Sequence, residues 1–467
     1  MTDNLIAGPG QPQLQARGRA APGPRGIPLL GSWAPMRWQG MLKFWTGVWR
    51  EHGDVAHVKM GPIDTHLIVH PEHVHNVLVR NRENYARGIL VRRVRVLFGA
   101  GLLTSEGELW MRQRRLMQPI FQPTTVPRFA QIMLAAAAGV VADWQDRPQA
   151  QPIPLNAEMM DLTRGVITEA MFSINMDQQL QEVGEALSYI PRLIRKRATA
   201  LLNLPLFLPV PTNLRFHRSM QTIDAFIEAT IAHRRAMEQG QEQTPDDLLS
   251  LLLRARDTDT DGGGMSDQQV HDELLTIFIA GHETSAQVLT WLWYILATHP
   301  EVEQQLHAEL ESILHGHPAT LADLPKLSYT KMVIDEALRL YPPAPMYARE
   351  TVADDSMGGF RIPAGSAIML SPYITHRHPA FWDDPEQFRP ERFAAGREPR
   401  LVEGYFPFGG GPHVCIGKHF ALLEITLALT TLAQRFRLRL VPGQNVRAHL
   451  DMFLTPEEEI WMTIEPR

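Results

Sequence analysis

Apolar residues recur at every third or fourth position through most of this chain, which is the spacing of helices that bury one face. The pattern predicts helices over residues 126–146, 214–238, 266–297, 300–315, 330–339 and 417–435. Alternating apolar and polar residues, typical of strands, occur over residues 55–60, 65–70, 367–371, 436–441 and 460–464. We therefore expect a mainly α protein with small β-sheets.

The first 23 residues are rich in Gly, Pro, Gln and Ala. Such a composition cannot bury enough apolar surface to offset the entropy of ordering. We expect a disordered tail at residues 1–23 and one ordered domain at residues 24–467. This end shows no apolar stretch of the length of a signal region or a membrane span, so we expect no transmembrane segment.

Charge and cysteine content narrow the class of protein. The chain has 45 Lys and Arg against 51 Asp and Glu, a formal net charge of -6, and shows no strongly basic face. We therefore expect no nucleic-acid partner. One cysteine cannot form an internal disulfide and is typical of a reducing compartment, so we expect a cytoplasmic protein.

That cysteine, Cys415, follows a run of three consecutive glycines, Gly409 to Gly411. Glycines let the backbone come close to whatever the sulfur faces. The predicted helix 417–435 puts Cys415 near a helix N-terminus, where free amides and the helix dipole favour a thiolate. A thiolate with no Cys or His ligand nearby suits a haem iron better than zinc, which takes about four ligands. The alternative is a buried, inert free cysteine.

The predicted helix 266–297 begins with the capping-box pattern Ser266-Asp267-Gln268-Gln269. In its interior lies Gly281, which costs roughly 1 kcal/mol in a helix and calls for a reason. Thr284 can turn its hydroxyl back to the carbonyl of residue 280 and loosen the helix. The resulting groove, with Glu283 beside it, suits bound dioxygen. An ordinary kinked core helix is the alternative.

Two motifs resemble signatures of the cytochrome P450 family. Phe408, Gly411, Cys415 and Gly417 fill the four fixed positions of its haem-binding loop. The string from Ala280 to Thr284 is similar to its oxygen-activation motif, and both the acid and the alcohol are present.

Two further motifs follow the family's order. Glu336 and Arg339, three residues apart on one helix face, together with Arg392 resemble the buried Glu-Arg-Arg triad that braces the haem loop. Trp110 and Arg114 resemble the Trp-x-x-x-Arg pair that holds a haem propionate. Alone, an i,i+3 ion pair would more often be a solvated helix face.

The resemblance implies roles for individual residues. Cys415 would be the axial ligand of haem iron. The haem would be bound by Trp110, Arg114, Arg349, Phe408, His413 and Gly417. The substrate pocket would be lined by Phe278, Ile279, Ala280, Gly281, Ala344, Met346 and Phe453. The family more often has Arg at the position of His413, whose charge depends on pH.

The resemblance also implies the family's triangular-prism fold, with haem b between a long distal helix and a proximal Cys loop. Thr284 and Glu283 would pass protons to the distal oxygen. The expected reaction is hydroxylation or epoxidation of an apolar molecule such as a terpenoid, fatty acyl or polyketide-like compound of secondary metabolism. Electrons from NAD(P)H would arrive through a separate ferredoxin and ferredoxin reductase, and we expect a monomer. A haem-thiolate protein that rearranges, dehydrates or only binds a ligand stays open.

Three charged features allow two interpretations each. The basic run 192–197 could contact a membrane or an acidic head group, or form a solvated helix face. The acid-rich linker 257–264 could be read as a calcium loop, but it lacks the spacing of an EF-hand, and we expect a solvated loop there. Arg112 and Arg115 would lie on a solvated helix face or contact an acidic redox partner.

Overall fold

A computed structural model describes residues 18–88, 91, 95, 99–148, 151–173, 182–184, 186, 189, 193, 205–259, 262–396, 404–450 and 452–467. Within these residues the helices are α1 Trp33–Gln39, α2 Met41–His52, α3 Pro71–His75, α4 Gly107–Met117, α5 Ala130–Asp146, α6 Leu155–Phe172, α7 Pro211–Gln239, α8 Leu248–Arg254, α9 Asp267–Thr298, α10 Pro300–Leu314, α11 Ser328–Leu340, α12 Pro372–Thr375 and α13 Lys418–Ala433. The basic run 192–197 lies outside the described residues except for Leu193.

All the predicted helices are present, with ends that differ by a few residues. The segment predicted to start at residue 126 opens with a 3-10 turn, Val126–Phe129, before α5. The pattern did not predict α6, which is buried on several sides. A helix that packs on several sides has no single apolar stripe, so its periodicity is weak.

The strands are β1 Arg19–Ala20, β2 Val55–Met60, β3 Ile63–Ile68, β4 Tyr85–Ala86, β5 Pro152–Pro154, β6 Tyr347–Thr351, β7 Asp355–Met357, β8 Phe360–Ile362, β9 Ala367–Leu370, β10 Phe436–Leu440, β11 Ala448–Leu450, β12 Leu454–Pro456 and β13 Trp461–Pro466. The largest sheet has the order β2-β3-β9-β6-β4. Its β2–β3 hairpin pairs Val55 with Ile68 and Met60 with Ile63, in agreement with the alternating pattern.

Ordered structure begins before the predicted boundary at Pro24. Strand β1 pairs in parallel with β8, with Arg19 opposite Phe360 and Ala20 opposite Arg361. The Arg19 guanidinium also lies over the Phe360 ring. The prediction of a disordered tail is therefore wrong for residues 18–23, because a short strand needs only a partner edge, which composition does not reveal. The rest of the predicted tail, residues 1–17, lies outside the described residues.

Helix α9 is the central element and positions the site. The predicted capping box is formed: the Gln269 amide donates to Ser266 Oγ at 3.2 Å, and the Ser266 amide donates to Gln269 Oε1 at 3.0 Å. The helix continues to Thr298 and packs against α6, α7, α11 and α13. Most of its residues are buried, so an accessible residue in its middle borders an internal space.

The linker before α9 is anchored to α4, which corrects the prediction of a solvated loop. Asp257 is buried, and its carboxylate accepts two hydrogen bonds from Arg115 at 3.2 and 2.8 Å. Arg112 lies 3.7 Å from the same carboxylate and donates to the Gly264 carbonyl. A carboxylate between two guanidinium groups is compensated and tolerates burial. Arg112 and Arg115 thus bind this linker. They do not form a plain solvated helix face, which was one of their two predicted roles.

Among the described residues one helical segment, Val126–Asp146, has the length and composition of a membrane span. A core helix of a soluble protein meets the same criterion. Here Met133, Ala137 and Trp144 of this segment are buried, and α5 packs against α6 and α13.

Candidate active site

The glycine-rich segment before Cys415 packs directly on the helical turn Asn76–Arg80. Gly411 has a φ of +66°, and a Cβ there would lie 1.9 Å from the carbonyl oxygen of Leu78. Only glycine fits this position, for both its conformation and its space. The Cys415 amide donates to the Phe408 carbonyl at 2.9 Å and closes the loop.

Cys415 lies three residues before the first residue of α13. Burial raises the pKa of its thiol, while the Gly417 and Lys418 amides and the charges of Arg114 and Lys418 act to lower it. The side chain is nevertheless accessible. A thiol deep in the protein that is still accessible lines an internal space, where it can bind a ligand.

In the middle of α9, Ala280 is exposed, and Gly281 and Thr284 are partly accessible; Ala280 and Thr284 lie one helical turn apart on one face. The Thr284 hydroxyl donates to the Ala280 carbonyl at 2.7 Å, as predicted. Glu283 beside it is buried. The face that carries Ala280 and Thr284 therefore borders an internal space.

Gly281 serves helix packing in this structure. A Cβ at this position would meet the Ile167 side chain of α6 at 3.0 Å, and Thr163 of α6 donates to the His282 carbonyl at 2.9 Å. The helix is continuous through Gly281, without the break that the sequence suggested.

Two of the predicted pocket residues lie apart from the Ala280 face. Phe278 lines a small apolar cavity between α9, α6 and α7, together with Phe172 and Ile227. Ile279 is almost fully buried. A step of two residues rotates a side chain by about 200° around a helix, so residues 278 and 280 cannot share a face.

The other predicted pocket residues have mixed exposure. Ala344 and Met346 are partly exposed, and Phe453 is almost fully buried. Leu103, which no motif marked, is exposed, and its carbonyl accepts a hydrogen bond from the Arg87 guanidinium.

The predicted propionate ligands surround the Cys loop. Arg114 donates to the Val414 carbonyl at 3.0 Å, and the Trp110 and His413 rings have centroids 4.0 Å apart. Burial lowers the pKa of Arg349, whose guanidinium donates to the Ala348 carbonyl. Arg87 joins this group and donates to His413 Nδ1 at 3.0 Å.

His413 is neutral in this arrangement. Burial and the charges of Arg87, Arg349 and Arg114 lower its pKa to about 3. Burial and the charge of Arg349 lower the pKa of Arg87 to about 10. Arg87 was not predicted, because no spacing along the chain relates it to residues that meet it only in the fold.

This group of side chains fits the carboxylates of a haem. Arg87, Arg114 and Arg349 form no ion pair with a carboxylate of the described residues, although the Arg87 backbone amide donates to the Glu106 carboxylate. The buried indole N–H of Trp110 has no hydrogen-bond acceptor among the described residues. Cations that lack carboxylate partners, next to an accessible thiol, match an anionic macrocycle whose metal takes one sulfur ligand. No group of three or more His, Cys, Asp or Glu that could hold a metal ion occurs within the described ranges.

The three residues predicted to form a brace lie together in the structure. Arg339 and Glu336 are fully buried and share two hydrogen bonds, of 2.7 and 2.8 Å. Arg392 Nε lies 3.4 Å from Glu336 Oε1. The remaining Arg339 donors bind the carbonyls of His376, Pro385 and Gln387.

His376 connects this brace to the Cys loop and was not predicted from the sequence. Its Nδ1 donates to the Arg339 carbonyl at 3.1 Å, and its Nε2 accepts from the Phe406 amide at 3.0 Å. Burial lowers its pKa well below the usual value, so the ring is neutral and can accept at Nε2. A histidine without a motif gives no signal in a single sequence.

A further buried acid, Glu424, lies at the contact between α9 and α13. Burial raises the pKa of Glu424 to about 8, and the neighbouring Ser285 hydroxyl acts to lower it. Glu424 is therefore largely protonated at neutral pH. Ser285 directly follows Thr284, so this neutral acid packs behind the Thr284 turn.

Comparison with known proteins agrees with this chemistry. The chain matches the cytochrome P450 family over residues 21–464. It is 36% identical to cyclooctatin synthase of Streptomyces melanosporofaciens over 95% of both chains. It is also 36% identical to cyclooctat-9-en-7-ol 5-monooxygenase of that species, over 91% of this chain and 90% of the relative. Pentalenene oxygenase of Streptomyces avermitilis is 33% identical over 92% of this chain and 93% of its own length.

The fold and the thiol site define a haem-dependent oxidoreductase. The chain belongs to the cytochrome P450 family. The predictions of the fold class, the haem cofactor and the monooxygenase class are confirmed.

Breaking the brace should release the Cys loop. Replacing Glu336 by Ala leaves the fully buried Arg339 charge without its partner, which costs about 3–5 kcal/mol. Glu336→Ala should express poorly or without haem, measured as the haem absorbance per unit of purified protein. Glu391→Ala removes an exposed acid next to Arg392 in the chain, and as the control it should keep normal haem content. Full occupancy in Glu336→Ala would contradict the brace.

The buried Glu424 should make stability depend on pH. The pKa of Glu424 is about 8 in the folded protein and 4.5 in the unfolded chain. Its contribution to the free energy of unfolding is therefore full below pH 4.5 and is lost as pH rises toward 8. Glu424→Gln cannot titrate, so its melting temperature relative to wild type should rise between about pH 5.5 and pH 8. The slope of that difference is about 1.4 kcal/mol per pH unit at most. The exposed Glu391→Gln should follow wild type, and a parallel profile for Glu424→Gln would show that Glu424 is ionised.

Proposed function

We propose that this protein inserts one oxygen atom from dioxygen into an apolar cyclic terpenoid, with residues 24–467 as one haem domain and Cys415 as the axial ligand. The observation that carries the proposal is the accessible, deeply placed thiol of Cys415 beside cations that have no carboxylate partner among the described residues. A haem bound there would be held by the Cys415 sulfur and would supply the iron for dioxygen activation.

The residues around the thiol have separate tasks. The Gly417 and Lys418 amides and the Arg114 charge stabilise the thiolate form of Cys415. The three guanidinium groups near the loop and the Trp110 N–H would bind the propionates and fix the orientation of the macrocycle. His413, neutral and bonded to Arg87, would orient that guanidinium rather than add charge.

Thr284 and Glu283 would deliver protons. The Thr284 hydroxyl hydrogen is committed to the Ala280 carbonyl, so its oxygen can accept a hydrogen bond from a water on the accessible face. A water held in this way can pass a proton into the space that the face borders, and Glu283 beside it can resupply one.

The substrate class is supported by the relatives and by the apolar side chains of the pocket. The names of two relatives give cyclooctat-9-en-7-ol and pentalenene as the compounds oxidised. Leu103 and Ala280 are exposed apolar side chains, Ala344 and Met346 are partly exposed, and these four would line the pocket. Cyclic terpenes should shift the ferric haem spectrum on titration, and fatty acids or macrolides should not. A shift with fatty acids alone would contradict the terpenoid assignment.

Electrons would come from NAD(P)H through a separate ferredoxin and its reductase, with the enzyme a cytoplasmic monomer of secondary metabolism. The exposed Lys418 at the start of α13 offers positive charge for an acidic partner, as does the exposed Arg80, which is only loosely paired with Glu72 at 3.7 Å. Product should form only with reduced nicotinamide and the ferredoxin system. Conversion without them would instead support the rearrangement reaction.

Thiolate ligation has a direct spectroscopic test. Purified wild type should contain haem b, and its ferrous carbonyl form should show the strongly red-shifted Soret band of thiolate ligation. Cys415→Ala should lose that band because the chain has no other cysteine. An unchanged spectrum in this variant would overturn the assignment.

Proton delivery can be tested at Thr284. Thr284→Ala should still bind haem and substrate and still consume reduced nicotinamide, because neither ligand depends on the hydroxyl. Product per electron pair should fall roughly 10²-fold, with more hydrogen peroxide released, as for loss of a proton-transfer group. Thr298→Ala removes the same type of bond, to the Tyr294 carbonyl at 2.8 Å, at the far end of α9 and should stay coupled. Equal coupling in Thr284→Ala and wild type would move the role to another group.

A further inference from the structure

Exposed apolar side chains cluster at the beginning of the described chain. Four of the eleven large apolar side chains that are exposed among the described residues lie within residues 27–38. They are Ile27 at 39%, Leu29 at 97%, Leu30 at 39% and Trp38 at 80% exposure. We call these four residues the N-terminal patch. Their concentration in one short stretch separates them from singly scattered surface residues, which need no explanation.

The tip of the patch is held in an unfavourable conformation. Leu29 has a φ of +67°, in the left-handed region that side chains other than Gly, Asn and Asp rarely adopt. Two backbone hydrogen bonds close the turn. The Ile27 amide donates to the Gly31 carbonyl at 2.8 Å, and the Gly31 amide donates to the Ile27 carbonyl at 2.7 Å. A Cβ at Gly31 would lie 2.1 Å from the Lys59 carbonyl oxygen, so the turn is pinned to β2. A strained and almost fully exposed leucine brings no benefit to the stability of the described structure.

The chain segment that carries the patch has charge of one sign. Residues 4–50 contain no Asp or Glu, although the whole chain has a net charge of -6. Arg25, Arg37 and Lys43 in this stretch are exposed. On the β2–β3 hairpin, to which the turn is pinned, Asp64 is paired with Lys59 at 3.1 Å. The segment that carries the patch is therefore positive, and the acid of the neighbouring hairpin is paired.

We propose that the N-terminal patch docks the protein on an anionic lipid bilayer. A protruding leucine and an exposed tryptophan insert into the interfacial region, and the flanking Arg and Lys side chains bind lipid phosphates. A stable protein interface buries about 800 Å² per partner, which is more than a tip of four side chains offers. Reversible membrane binding needs only a few inserted side chains and opposite charge.

Docking of this kind would place the enzyme where apolar molecules dissolve. The inference uses only residues far along the chain from Cys415 and does not depend on the proposed substrate. Its failure would leave the haem site and the terpenoid assignment untouched, because the readout is lipid binding rather than turnover.

The test is flotation of the full-length haem protein with vesicles of phosphatidylglycerol and phosphatidylcholine, compared with phosphatidylcholine alone. Wild type should float with the anionic vesicles and lose binding at high salt. Leu29→Asn and Trp38→Ser should each weaken binding roughly tenfold or more, since each removes one inserted apolar side chain. Asn tolerates a positive φ, so Leu29→Asn should melt no lower than wild type.

Val352→Ser is the matched control, because Val352 is 63% exposed and lies at the β4 edge of the largest sheet, whereas the patch is pinned to β2 at the other edge. It should bind vesicles as wild type does. Failure of wild type to float with anionic vesicles, or unchanged binding by Leu29→Asn and Trp38→Ser, would overturn the proposal. A dimer that dissociates in Leu29→Asn, without lipid binding by wild type, would also overturn it and assign the patch to a contact between two copies.

Discussion

The buried pair of Arg339 and Glu336 is the interaction on which the shape of the Cys loop depends. The loop has little regular backbone pairing of its own, so its geometry must be imposed by neighbours. Arg339 holds three carbonyls of the segment 376–387, and His376 carries the connection to the Phe406 amide. On the other side, the loop backbone at Gly411 packs so closely on Leu78 that a Cβ would not fit. Two supports of this kind favour one position of the thiol, as preorganised binding of a ligand requires.

Helix α9 lies between a closely packed region and an internal space. One side packs against α6 so closely that a Cβ on Gly281 would meet Ile167, and the other presents Ala280 and the Thr284 hydroxyl to an internal space. Close packing on the first side holds the second in place. The neutral Glu424 behind Ser285 fits this arrangement, since an ionised carboxylate there would carry a large desolvation cost.

The arginines of α4 fall into two groups, one near the Cys loop and one at the linker before α9. The described cations near the Cys loop form no ion pair with a described carboxylate, whereas Arg112 and Arg115, on the same helix as Arg114, are both paired with Asp257. The linker that carries Asp257 thus anchors α4 from outside, and the inner residues stay available for an anionic ligand. Helix α4 is therefore held through its outer arginines and can present Trp110 and Arg114 in a fixed orientation.

Much of the site was determined by the sequence alone, because its chemistry depends on short spacings. The glycine loop before Cys415, the capping box at Ser266, the Thr284 bond to residue 280 and the i,i+3 pair of Glu336 and Arg339 each depend on neighbours within a few residues, and the structure has all four as predicted. Only the tertiary structure decided the partners that come from distant segments. Arg87 and His376 contact the Cys loop although they are far from it in sequence and belong to no motif. Asp257 is buried against two arginines of another helix. Phe278 lines a cavity away from the Ala280 face because packing sets the orientation of α9. Local hydrogen bonds follow from spacing along the chain, whereas burial and long-range electrostatic contacts exist only once the chain has folded.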